Sequence, residues 1–131
     1  MRLWHQQLIP VLPRQQLLGQ HRECCALRGK GWGRKHSTVD YIFNYSPTRL
    51  YMYHRIVMLE MLNRGYNPAE EWFDCRYRGK KCKEYDNWIE EDYNRLQKKM
   101  GKMIYPEHDQ DYLQECLDNL RGKGVIISLQ V

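Results

Sequence analysis

Residues 46–65 read SPTRLYMYHRIVMLEMLNRG, the clearest helix in the chain. Ser46 suits the N-cap, Pro47 the first helical position, and Gly65 ends the element without steric cost. Between them Leu50, Tyr53, His54, Val57, Met58, Met61 and Leu62 recur at steps of three and four. That spacing makes one apolar stripe, which needs a second surface to bury against.

Working outward, residues 13–28 predict a partner helix. Pro13 fits a first turn, Leu17, Leu18, His21, Cys24, Cys25 and Leu27/Arg28 share the helical period, and Gly29 stops it. Gly31 and Gly33 loosen the turn after it. A third helix is expected after Pro106, from Asp109 through Leu113, Cys116, Leu117 and Leu120 to Gly122. Residues 38–45 are strand-like by propensity, or equally a buried extended connector. Residues 66–87 are mixed aromatic and charged, with Gly79, Lys80 and Lys81 marking a loop, and 89–100 suit a short exposed helix. The apolar tail 125–131 should dock, in one reading as a strand. The expected fold is all-α, a single small domain of three main helices with long irregular connections.

Length and composition narrow the function classes. A chain of 131 residues fits one domain with one core. Its mean hydropathy is −0.82, and it has no apolar run of roughly 18 residues, so no membrane-spanning helix is expected. Arg2, His5, Gln6 and Gln7 interrupt any secretory apolar stretch. Five cysteines, two of them adjacent, fit a disulfide framework poorly; reduced thiols in the cytoplasm are expected. Charge is unevenly spread. Residues 1–36 hold seven bases against one acid, net +6, whereas 37–131 sum to −1. A concentrated basic segment is what a polyanion-binding face needs, though a solvated surface has the same composition.

The one acid in that segment is Glu23, the only carboxylate before Asp40. A lone carboxylate on a phosphate-binding face weakens affinity unless it performs chemistry; otherwise it pairs with Arg22, Arg28 or Lys30 on the surface. Cys24, Cys25, Cys75, Cys82, His21 and His36 lack the spacing of a zinc site, so no metal is expected and buried thiols and core histidines are the plainer reading. Neither Cys24 nor Cys25 has the further partners of a nucleophile beyond His21. Trp32, in a Gly-rich basic turn, is the aromatic suited to stack on bases.

The string Gln15-Gln16-Leu17-Leu18-Gly19-Gln20-His21-Arg22-Glu23, with the basic turn ending Lys35-His36, resembles the bacteriophage pyrimidine-dimer DNA glycosylases of the endonuclease V type. Val39-Asp40-Tyr41-Ile42-Phe43, then Leu62-Asn63-Arg64-Gly65-Tyr66-Asn67, and loosely the helix at 106–122 continue the likeness. The opening Met1-Arg2-Leu3-Trp4-His5 and the run Arg22-Glu23-Cys24-Cys25-Ala26-Leu27-Arg28-Gly29 look like a bacterial branch of that family.

The resemblance implies a small, all-α glycosylase and abasic-site lyase acting on pyrimidine dimers or a related lesion, without metal or cofactor. Its nucleophile would be a free α-amine, whose ordinary pKa of about 7.7–8.0 leaves a neutral fraction at physiological pH. Glu23 matches the family's catalytic carboxylate, and Gln15 and Arg22 its substrate-contacting pair. The family exposes a small second residue by losing its initiator Met; Arg2 is too bulky for ordinary aminopeptidase processing, so Met1 can keep its own amine, which shifts the nucleophile by one residue and leaves Met1 and Arg2 both as candidates. Arg28, Lys30, Trp32, Arg34, Lys35 and His36 complete the expected DNA-binding set. The implied partner is damaged duplex DNA, kinked with a nucleotide extruded, bound by a monomer. Residues 68–103 have no counterpart and read as a variable insert within one domain, 1–131. The alternatives are a non-catalytic nucleic-acid-binding module on the same basic segment and a protein-interaction domain.

Overall fold

The computed structural model describes residues 2–128. Met1 and the tail positions 129–131 lie outside the described residues.

Four α-helices carry the fold: α1 (Arg14–Arg28), α2 (Pro47–Asn63), α3 (Trp88–Lys99) and α4 (Gln110–Gly122). Short 3-10 turns cover Gln6–Val11, Asp40–Asn44 and Glu70–Phe73, and no strand occurs among the described residues. The all-α expectation holds, and the helix anticipated at 89–100 is α3.

Helix α2 is central, packed against α1 on one side and α3 on the other. Leu50, Tyr53, His54, Val57, Met58 and Met61 are buried as the stripe predicts. Thr48 and Tyr51 are buried as well, because α3 widens the covered arc, while Leu62 falls outside it at 45% exposed. Ser46 occupies the N-cap position but does not cap. Its hydroxyl donates to Asp92 Oδ2 at 2.7 Å, and Thr48 donates to the same oxygen at 2.6 Å, tying α3 to the start of α2. Residues 38–45 are no strand: a lone strand has no partner edge in a helical domain. Asp40 instead accepts the His36 N–H at 2.7 Å and donates its own N–H to His36 O at 3.0 Å, closing a turn that buries Val39 and Ile42.

Helix α1 buries Leu17, Gln20, Cys24, Leu27 and Arg28, a regular three–four stripe in which two members are polar. Gln20 holds the start of the chain, and Arg28 holds the segment after α2. Helix α4 is capped by Asp109, which accepts the Tyr112 N–H at 2.9 Å, and it buries Leu113, Cys116 and Leu120. Beyond it Val125 and Ile127 pack on the core without forming a strand over 125–128.

His5, His54 and His108 are also buried. His108 Nδ1 accepts the Gln6 N–H at 3.1 Å, which leaves Nε2 to donate to the Tyr41 hydroxyl at 2.7 Å. Burial, reinforced by nearby His5, holds His108 down to about 3, and burial holds His54 well below the ordinary histidine value. Both imidazoles are neutral when folded. Between their folded values and about 6.5 only the unfolded chain takes up these protons, so stability falls as pH drops below neutrality. His108, neutral down to about 3, removes about 2 kcal/mol by pH 5, and His54 acts in the same direction. Calorimetry is expected to show the melting temperature falling on the order of 10 °C between pH 7.5 and 5; a flat profile would refute the neutral assignment.

Candidate active site

The chain start is held by side chains from three helices. Gln20 of α1 accepts the Trp4 N–H at 2.7 Å and donates to Arg2 O at 3.0 Å and to Glu23 Oε2 at 3.3 Å. Tyr53 of α2 donates to Trp4 O at 2.6 Å, with Gln20 Oε1 3.0 Å away, and Tyr112 of α4 donates to Leu3 O at 2.5 Å. Burial pushes the Tyr112 phenol up to about 12 and Tyr53 well above its ordinary value, so both remain donors at neutral pH. Residues 2–4 therefore have almost no freedom, and the Arg2 nitrogen lies 3.3 Å from Glu23 Oε2. The Arg2 side chain packs near Trp4 and Tyr112, with its charge centre about 6 Å from either ring, and pairs with Glu115 at 3.3 Å.

Glu23 borders two clefts of about 230 and 210 Å³ that share Trp4, Glu23 and Lys123. Arg2, Thr38 and Asn119 complete one; Gln15, Gly19 and Arg22 are among the residues completing the other. Positions 15, 19, 22 and 23 lie on one face of α1, which is why the sequence string already gathers Gln15, Arg22 and Glu23. Lys123 and Asn119 come from the far end of the chain, a hundred residues away, and nothing in their sequence neighbourhood marks them. Lys123 Nζ stands 5.3 Å from the Trp4 ring centre. Among the described residues Glu23 makes no ion pair, so the surface salt bridge to Arg22, Arg28 or Lys30 is not formed. A carboxylate facing a pinned main-chain nitrogen, in a cleft bordered by cations, is equipped to move protons beside a bound anion.

Two members of the expected DNA-binding set do other work. Arg28 is 3% exposed and turned inward. It donates to Trp72 O at 2.7 Å, Asp74 O at 2.9 Å and Tyr77 O at 2.9 Å, and its Nη1 also meets His54 Nδ1 at 3.0 Å. The Tyr51 and Trp72 rings flank it at 5.1 and 5.0 Å. No phosphate reaches it there. Trp32 is half-buried, in a T-shaped contact with Phe43 at 4.9 Å, and packs against the core. Gln15, Arg22, Lys30, Arg34, Lys35 and His36 are exposed as expected.

His21, Cys25 and His54 bring three ligand-type atoms within 4.8 Å of one another. Their hydrogen bonds argue against a metal. Arg28 is only a donor, so His54 Nδ1 accepts and His54 Nε2 carries the proton, aimed at His21 Nδ1 2.8 Å away. A cation would displace that proton beside a guanidinium. Burial pushes Cys25 up to about 11 and Cys24 well above the usual thiol value, so neither is a thiolate nucleophile at neutral pH.

A family model described as pyrimidine dimer DNA glycosylase matches residues 1–74, which include Glu23, the pinned chain start and both α1 and α2. No curated protein and no solved structure matches the chain. Among the described residues no helix is long and apolar enough to cross a membrane. With its match spanning more than half of the sequence, the chain belongs to the pyrimidine dimer DNA glycosylase family.

Proposed function

We propose that this protein is a DNA-repair glycosylase with abasic-site lyase activity on pyrimidine dimers or a related base lesion, and that its nucleophile is the amine of residue 2, freed of Met1 by a cleavage other than ordinary initiator-Met processing, which a residue as bulky as Arg2 blocks. The observation that carries the reading is the 3.3 Å separation between the Arg2 nitrogen and Glu23 Oε2. With Met1 present that nitrogen is an amide with no lone pair to give. With Met1 removed it is an α-amine already beside its proton acceptor.

The amine lone pair attacks C1′ of the damaged nucleotide, and the bond to the base breaks with its electron pair leaving on the base. The attached nitrogen loses one proton to Glu23, its lone pair forms C=N as the C1′–O4′ bond breaks, and O4′ leaves with the electron pair and takes that proton from Glu23, which opens the ring to a protonated imine. Glu23 stabilises the cationic sugar, then accepts a proton from C2′ so that the C3′ phosphate departs by β-elimination. Gln15, Arg22 and Lys123 border the same clefts and hold the neighbouring backbone. Lys30, Arg34, Lys35 and His36 offset the cost of kinking the duplex and extruding a nucleotide.

Borohydride trapping on abasic-site duplex, with the chain start checked by intact mass, tests this directly. A chain beginning at Arg2 is expected to give a covalent adduct, and acetylating its α-amine to abolish it. An absent adduct, or one that survives acetylation, overturns the proposed nucleophile. Salt-sensitive DNA binding with no adduct and no cleavage would point to the non-catalytic binding module instead.

A further inference from the structure

Beside the Glu23 clefts lies a larger one of about 600 Å³, built from two distant stretches of chain. Lys30 and Arg34 come from the turn after α1; Arg78, Lys80 and Lys81 come from the loop before α3; Trp72 forms an apolar wall. No carboxylate lines it. Among the described residues none of the five cations has an ion-pair partner, although Arg2, Arg64, Arg76, Arg95 and Arg121 all do.

The two stretches are brought together by specific contacts. Gly29 permits the approach: a Cβ there would stand 2.9 Å from Arg78 O. Gly79, at φ +96°, turns the chain between Arg78 and Lys80 in the left-handed region that favours glycine. Arg78 donates to Arg28 O at 3.0 Å and Gly29 O at 3.2 Å and lies over the Tyr85 ring at 4.5 Å. It thereby covers the negative C-terminal end of α1, which would otherwise repel an anion. Lys30, Arg34, Lys80 and Lys81 keep their charged ends exposed around the cleft. Four like charges around one volume repel one another until an anion enters.

This cleft continues the Glu23 face. His36 lines it and Thr38 lines the Glu23 cleft, and two residues span at most about 7 Å. We infer that the cleft is a second DNA site, which takes consecutive backbone phosphates flanking the lesion and extends the footprint through Lys80 and Lys81. These two residues lie beyond the 1–74 match. The inference rests on the DNA-repair reading above.

The test compares the wild-type chain with Lys80→Ala/Lys81→Ala on a long duplex carrying one central abasic site. Both lysines are exposed, so the fold should be unaffected, and a melting curve checks it. The slope of log Kobs against log salt is expected to fall by about 2, with affinity down ~10-fold or more. The single-turnover cutting rate at saturating DNA should not change, and Lys80→Glu/Lys81→Glu should weaken binding further. An unchanged salt slope overturns the second site while leaving the repair reading intact. So does stoichiometric pyrophosphate binding that the double variant abolishes without altering the DNA slope, which would make this a free-phosphate site. A wild-type chain that neither binds nor cuts DNA overturns both readings.

Discussion

Glu23→Gln is expected to lower single-turnover strand cleavage by on the order of 10²–10⁴-fold, with DNA affinity unchanged or slightly raised. The substitution keeps the length of the side chain and an oxygen that can still accept from the residue 2 nitrogen and from Gln20. What it removes is the negative charge and the basic oxygen. In the proposed reaction the first stabilises a cationic sugar, and the second takes the proton whose departure lets the C3′–O bond break. Losing one carboxylate from a face that binds phosphate also removes a repulsion, so binding does not fall with activity. Gel-shift affinity and cutting rate, measured on the same abasic-site duplex, separate the two effects. Cleavage within a few-fold of wild type would show Glu23 to be a surface carboxylate without a catalytic part.

Arg28→Met is expected to destabilise the fold by about 3–5 kcal/mol, a shift in melting temperature on the order of 10 °C or more. The wild-type guanidinium satisfies three main-chain carbonyls, those of Trp72, Asp74 and Tyr77, from a position only 3% exposed. Methionine fills much of the space between the Tyr51 and Trp72 rings but offers no donor, so the Trp72 and Tyr77 carbonyls lose the guanidinium, and Asp74 O keeps only the Tyr77 N–H at 3.0 Å. Arg28→Lys should rescue little, because an ammonium on one stem does not reproduce a planar fork aimed at three acceptors. At temperatures where the variant remains folded, its DNA salt slope should match wild type. A slope reduced by about 1 with an unchanged melting temperature would instead return Arg28 to the phosphate-contacting set.

The contrast between Arg22 and Arg28 shows what a sequence pattern reports. Both are arginines on α1 in a basic segment, and no count of charges separates them. Helical phase does, once α2 supplies an aromatic face for Arg28 and the chain at 72–77 supplies carbonyls. Gln20 is a similar case: by composition a neutral helix former, in the fold a buried bracket for residues 2–4. Trp32, with glycines for neighbours, looks unattached in the sequence, yet in the fold it is half-buried in a T-shaped contact with Phe43.

Helices α1, α2 and α4, the charged turn after α1 and the isolation of Glu23 are legible in the sequence, because periodicity, caps and local charge act over a few residues. The partition of charge into +6 before residue 37 and −1 after it is correct arithmetic, but it averages away a second basic patch. Lys80 and Lys81 are offset on paper by the acids of α3 further along the chain. Only the tertiary structure decides which of those charges share a cleft, because electrostatics acts through space and not along the chain. The same holds at the chain start. The sequence by itself leaves the proposed nucleophile at Met1 or Arg2, and the packing of three helices around residues 2–4 is what sets the Arg2 nitrogen against Glu23.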